Sequence, residues 1–129
     1  MRNTIVLTLA LALVGLGTAF VRAADEDKGD SVKVSGVVID QMCAKKMAAK
    51  DDPQKAAAGH QTSCCLKCAD SGFAIMTDGK TTLLSKDSSD KVKEYLSKDD
   101  AKTSVTIEGT KQADGSIAVK TIAAAEAAK

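Results

Sequence analysis

The apolar positions of this chain fall into one unbroken run near the start, one alternating run, a long stretch with little apolar content, and then a series of short alternating segments. Ile5 to Val21, "IVLTLALALVGLGTAFV", carries no charge. Val32 to Asp40, "VKVSGVVID", is rich in β-branched residues and places Val32, Val34 and Val38 on one face, which predicts a first strand. Gly36 in its middle predicts a bulge or a bend. "QMCAKKMAAKDDPQKAAAGH" follows, rich in Ala and Lys and helical by propensity. Asp52-Pro53 reads as an N-cap with proline at the first helical position, and Gly59 as the end of that short helix. Thr62 or Ser63 is the expected cap of a further helix that runs through the cysteines to Gly72.

Beyond Gly72 the period changes to two. "FAIMT" and "TTLLS" flank Asp78-Gly79-Lys80, and an Asp-Gly between apolar runs predicts a tight hairpin. "SSDKVKEYLSK" has Val92, Tyr95 and Leu96 on one helical face. "SVTIEG" and "SIAVKTI", separated by Ala113-Asp114-Gly115, predict two more strands. The expected fold is therefore α+β, mainly β. It is a small five-stranded OB-like barrel with a helical Cys-rich insertion (residues 41–72) after the first strand and a helix between strands three and four. A generic α+β sandwich built from the same elements is the alternative.

The first apolar run has Arg2 before it, no acid around it, and Val21-Arg22-Ala23 after it, the pattern of a signal peptide cut after Ala23. The run is also just long enough to span a bilayer, so an uncleaved N-terminal anchor is the other reading. Residues 24–31 form an acidic leader with little to bury and are expected to be disordered; residues 32–122 form the single domain, and residues 123–129 a flexible tail. Export makes the protein secreted or periplasmic, without a stable membrane anchor after cleavage, and makes disulfides permissible.

Composition then narrows the function. The whole chain has 18 Lys and Arg against 17 Asp and Glu, and both arginines, Arg2 and Arg22, leave with the signal segment. The remainder, with Phe73 and Tyr95 as its only aromatics, has neither the basic footprint nor the stacking surface of a nucleic-acid binder, so no nucleic-acid partner is expected. A core drawn from Val, Ile, Leu and Met in so short a chain is thin and would gain from crosslinks.

Chemistry concentrates in "GHQTSCCLKCADSG", Gly59 to Gly72, which holds the only histidine and three of the four cysteines. At about 100° per residue, Cys64, Cys65 and Cys68 of one helix share a face, with Cys43 as their distant partner. Three chemistries compete. Disulfides among Cys43, Cys64, Cys65 and Cys68 would staple the domain; a loop of about twenty residues closed by Cys43 contributes roughly 3 kcal/mol. Compartment and chain size favour this reading. A metal site would take Cys43, His60, Cys64 and Cys68 as ligands for zinc or copper. Met42 and Met47 are further soft donors, although methionine in an aromatic-poor chain is ordinary core filler. A thiol-disulfide oxidoreductase would use the Cys65-Leu66-Lys67-Cys68 spacing at a helix N-terminus, where a thiol pKa is lowered, but the preceding βαβ context is missing. Asp40 ends the first strand three residues before Cys43, either to cap the turn or to orient His60. A surface histidine with no ligand role is the plain alternative for His60.

Gly36-x3-Asp40-x2-Cys43, His60-x3-Cys64-x3-Cys68-x2-Ser71-Gly72-Phe73 and Asp78-Gly79-Lys80 together resemble a group of small exported bacterial proteins of uncharacterised function. The resemblance implies export, a small β-rich domain and a recurring Cys43, His60, Cys64, Cys68 set; Cys65 lies outside its pattern, and it implies no reaction. No phosphate loop, nucleophile elbow or second histidine is present. The reading that results is an exported, non-catalytic binding or structural module without a cofactor, with the metal protein and the oxidoreductase as alternatives.

Overall fold

The computed structural model describes residues 29–126; the expected signal segment and most of the acidic leader lie outside them. Five strands form one antiparallel sheet in the order β3-β2-β1-β4-β5: β1 (Ser31–Asp40), β2 (Phe73–Thr77), β3 (Lys80–Leu83), β4 (Ser104–Lys111) and β5 (Ile117–Ala124). Three short helices, α1 (Gln41–Ala48), α2 (Pro53–Ala58) and α3 (Thr62–Lys67), fill the connection from β1 to β2, and α4 (Ser89–Leu96) lies between β3 and β4. The architecture is α+β and mainly β, with the helical insertion and the later helix where the pattern places them. The edges of the sheet meet at one parallel bridge, Leu84 with Ile117, where the Ser85 N–H donates to the Ile117 carbonyl at 2.8 Å. That is a single point of contact and not a closing ladder.

β1 is the organising strand. From Ser31 to Val37 it pairs with β4, and from Val37 to Asp40 with β2. Its first half alternates between exposed and half-buried residues, and its last four residues, Val37 to Asp40, are all buried. The change follows from what covers each face. One core, including Val38, Phe73, Ile75, Val92, Leu96, Val105 and Ile107, fills the side of the sheet on which α4 packs. A second and smaller core sets Val37, Ile39, Ala74 and Met76 against Ala44 and Ala57 of the insertion, with Met47 packed on it. The small alanine faces of α1 and α2 let these helices come close to the strands, so an insertion low in large apolar residues still buries the far side of the sheet.

The expected bulge at Gly36 is absent, because the β1–β4 register runs through it unbroken; the register shift lies at Glu108/Gly109. Gly36 serves instead as a point of close approach, since a Cβ there would lie 2.3 Å from the Met76 carbonyl oxygen. The Asp78-Gly79 hairpin forms as expected, with Thr77 paired to Lys80 and φ of +50° and +75° at the two loop residues, the conformation of a type I′ turn.

Two boundaries shift. The sheet takes in Ser31 of the expected leader, with Asp30 accepting from the Lys111 N–H, and it takes in Ala123 and Ala124 of the expected tail. Backbone pairing with β4 orders these residues whatever their side chains. α2 has the expected Asp52 cap, which accepts from the Lys55 N–H at 3.0 Å. α3 begins one or two residues earlier than expected, with Gln61 at the N-cap in place of Thr62 or Ser63, and stops at Lys67, before Cys68.

Candidate functional site

The site begins where β1 stops. Asp40 has extended backbone angles, φ −69° and ψ 153°, and stands at the N-cap of α1, where its Oδ1 accepts the Cys43 N–H at 2.8 Å. Its other oxygen, Oδ2, accepts from His60 Nε2 at 3.2 Å. Capping the turn and orienting the histidine are thus not alternatives, because the two carboxylate oxygens do one each. Asp40 is completely buried, and the His60 side chain is only 10% exposed, which sets aside a free surface histidine. His60 is delivered by the end of α2, where its own N–H donates to the Ala57 carbonyl at 2.9 Å. An ionised carboxylate only accepts, so the His60 tautomer that completes this hydrogen bond carries its proton on Nε2.

Cys43 is the third residue of α1, so the cap that holds its N–H also holds its thiol beside the carboxylate. One ligand atom from each of Asp40, Cys43 and His60 lies within 4.8 Å of the other two. A tetrahedral zinc with bonds of about 2.0–2.3 Å separates its ligand atoms by roughly 3.3–3.8 Å, so a small contraction of this triangle accommodates an ion. A thiol at a helix N-terminus ordinarily has its pKa lowered. Here the Cys43 pKa is raised, chiefly by burial and then by the hydrogen bond to Asp40 and the Asp40 and Cys68 charges, with Lys46 opposing. A bound cation inverts that balance, since it favours the thiolate.

The remaining cysteines do not share one face. α3 packs against β1, and residues one step apart point about 100° away from each other. Cys64 is therefore exposed, while Cys65 is fully buried in the main core, where its thiol donates to the Val38 carbonyl at 3.6 Å. Burial pushes the Cys65 thiol up to about 12. The activation expected for a Cys65/Cys68 redox pair is thus reversed at Cys65, because the helix end that was to lower its pKa is covered by the sheet.

Cys68 is half-buried at the C-cap of α3. The Ser71 hydroxyl donates to the Cys68 carbonyl at 2.8 Å and accepts from the Met42 N–H at 3.4 Å, and the Gln41 N–H donates to the Gly72 carbonyl at 3.0 Å. These bonds stitch the start of α1 to the turn after α3. Of the four expected ligands, the structure brings Cys43 and His60 together, adds Asp40, and leaves Cys64 and Cys68 outside the 4.8 Å triangle. Met42 is exposed, and Met47 belongs to the second core. No disulfide links the four cysteines in this structure.

His60 also borders a shallow cleft of about 360 Å³ with Gln61, Ser63, Lys102 and Thr103, which brings solvent to the edge of the triangle. A larger open cleft of about 910 Å³, between the turn at Asp70 and α4, is lined by Asp87, Asp90, Lys86 and Lys93 and holds none of these groups. Asp40 as a candidate ligand is the residue that sequence reasoning passed over. Its signal was the Asp-x-x-Cys spacing at a strand end, which puts the cysteine at the third helical position of an Asp-capped helix. Comparisons with protein-family models, with curated proteins and with solved structures give no match for this chain.

Proposed function

We propose that the protein is an exported, non-catalytic module that binds one transition-metal ion, zinc or copper, through Asp40, Cys43 and His60. The observation that carries this reading is the convergence of an oxygen, a sulfur and a nitrogen donor from β1, α1 and the end of α2 into one largely buried triangle. A mixed O, N, S set suits zinc, whose filled d shell imposes no geometry on its ligands. The proton that now joins His60 to Asp40 is the one an ion replaces, so the metal-free site needs no unsatisfied polar group to stay assembled.

The OB-like reading of the sheet draws support from its strand order and from the Leu84–Ile117 bridge between its edges, the connectivity of a five-stranded Greek-key barrel. Export rests on the signal pattern of residues 1–23 and on the resemblance to small exported bacterial proteins. Among the described residues, no helix is long and apolar enough to cross a membrane.

The decisive experiment is equilibrium dialysis of the reduced protein against zinc, followed by melting with and without chelator. One equivalent of zinc per chain is expected, lost in Cys43→Ser and His60→Ala. Zinc at a hundred times its Kd stabilises the fold by about 2.7 kcal/mol. A reduced protein that binds no zinc or copper(I) above buffer level sinks the proposal. A second reading, a structural Cys43–Cys68 disulfide, is favoured by the Met42–Ser71–Cys68 stitching.

A further inference from the structure

We propose that Cys43 belongs to two mutually exclusive states, a metal-ligand thiolate and one half of a disulfide with Cys68, so that a small-molecule disulfide releases the ion. This rests on the metal-binding reading and adds its regulation. Three observations carry it. First, the segment bearing Cys43 is hydrogen-bonded to the segment bearing Cys68 through the Ser71 hydroxyl and through Gln41 to Gly72. Second, the other two thiols are poorly placed as partners: Cys65 is sealed in the core with its proton directed at Val38, and Cys64 faces solvent on α3. Third, Cys43 and Cys68 are both partly exposed, so an oxidant reaches them without unfolding the domain.

The exchange balances with a small disulfide such as oxidised glutathione as the oxidant. The Cys68 thiolate attacks one glutathione sulfur, the glutathione S–S bond breaks, and one glutathione thiolate leaves. The Cys43 thiolate then attacks the Cys68 sulfur of the mixed disulfide, forming the Cys43–Cys68 bond and expelling the second glutathione. Two electrons pass from the two protein sulfurs to the two glutathione sulfurs; one glutathione takes up the Cys68 thiol proton, and the other, displaced by the proton-free Cys43 thiolate, takes its proton from solvent. Cys43 then has no thiolate to offer, and once the ion has gone Asp40 and His60 re-form their hydrogen bond with a proton taken from solvent. By linkage, a bound ion holds Cys43 back from the exchange to the same extent that the disulfide weakens metal binding.

The test begins with the reduced protein loaded with one equivalent of zinc, then exposed to oxidised glutathione in the presence of a chromogenic zinc indicator. Zinc release is expected in step with a peptide pair joining Cys43 to Cys68, and the zinc affinity of the oxidised form should fall by more than the roughly 10–100-fold that disturbing an outer-shell partner costs. Cys64→Ser should behave as the parent protein. Cys68→Ser should bind zinc when reduced and form no internal crosslink to Cys43. If the oxidised parent protein retains its zinc, or if the crosslinked peptide pairs Cys43 with Cys64, the switch is wrong while the metal site stands. A reduced protein that takes up no zinc removes the metal reading and the switch with it.

Discussion

Replacing Asp40 separates its roles, because the two oxygens have different partners. In Asp40→Ala the Cys43 N–H loses its cap, worth about 1 kcal/mol and at most about 2. The His60 ring, nearly buried, loses the acceptor that Asp40 Oδ2 provides, and an orphaned buried donor costs about 1–3 kcal/mol. Together the loss is about 2–5 kcal/mol, a large share of the stability of so small a domain. Asp40→Asn keeps an oxygen for the cap and has nearly the same volume, yet its amide cannot be the anionic acceptor for His60. It should cost about 1–2 kcal/mol and remove zinc binding. Urea denaturation of the reduced, metal-free proteins at pH 7 gives these differences directly from the midpoints, provided the slopes agree. If Asp40→Ala unfolds within 0.5 kcal/mol of the parent, the carboxylate is not holding the site together. If Asp40→Asn binds zinc at full affinity, Asp40 is not a ligand.

Three further outcomes are expected. Cys65 keeps its proton in the folded state to about pH 12 while an unfolded thiol loses it near its ordinary 9.0, so between those values the unfolded chain binds fewer protons and stability falls as pH rises. Urea midpoints at pH 8 and pH 10.5 should show the fall, Cys65→Ala should flatten it, and a slope unchanged in that variant would refute the assignment. Gly36→Ala should destabilise by about 1–3 kcal/mol, because its Cβ would press on the Met76 carbonyl and the β1–β2 pairing must give way; a thermal melt at the parent temperature would contradict the close approach. Single-stranded DNA should not bind at physiological salt, since the domain has balanced charge and no arginine after residue 22; micromolar, salt-sensitive binding in a fluorescence anisotropy titration would overturn this.

Local features of the chain determined a great deal by themselves. The Asp78-Gly79 turn, the Asp52-Pro53 cap and the buried face of α4 follow from backbone preferences and a single period, both of which act over a few residues and can be read there. The β-branched run from Val32 to Asp40 likewise determined a strand. Which thiol meets which neighbour, by contrast, depends on packing between elements distant in the chain. Cys64 and Cys65 are adjacent in the chain, yet packing of α3 on β1 sends one to solvent and the other into the core, and that burial reverses the pKa expected from a helix end. Asp40 and His60 are twenty positions apart, and their contact depends on α1 and α2 folding back over the outer face of the sheet to cover Val37, Ile39 and Met76. The sequence named the candidate donors, since residue type sets chemistry. The selection of Asp40, Cys43 and His60 from among them came from burial of a second, alanine-lined core, a property of the assembled layers that no local pattern encodes.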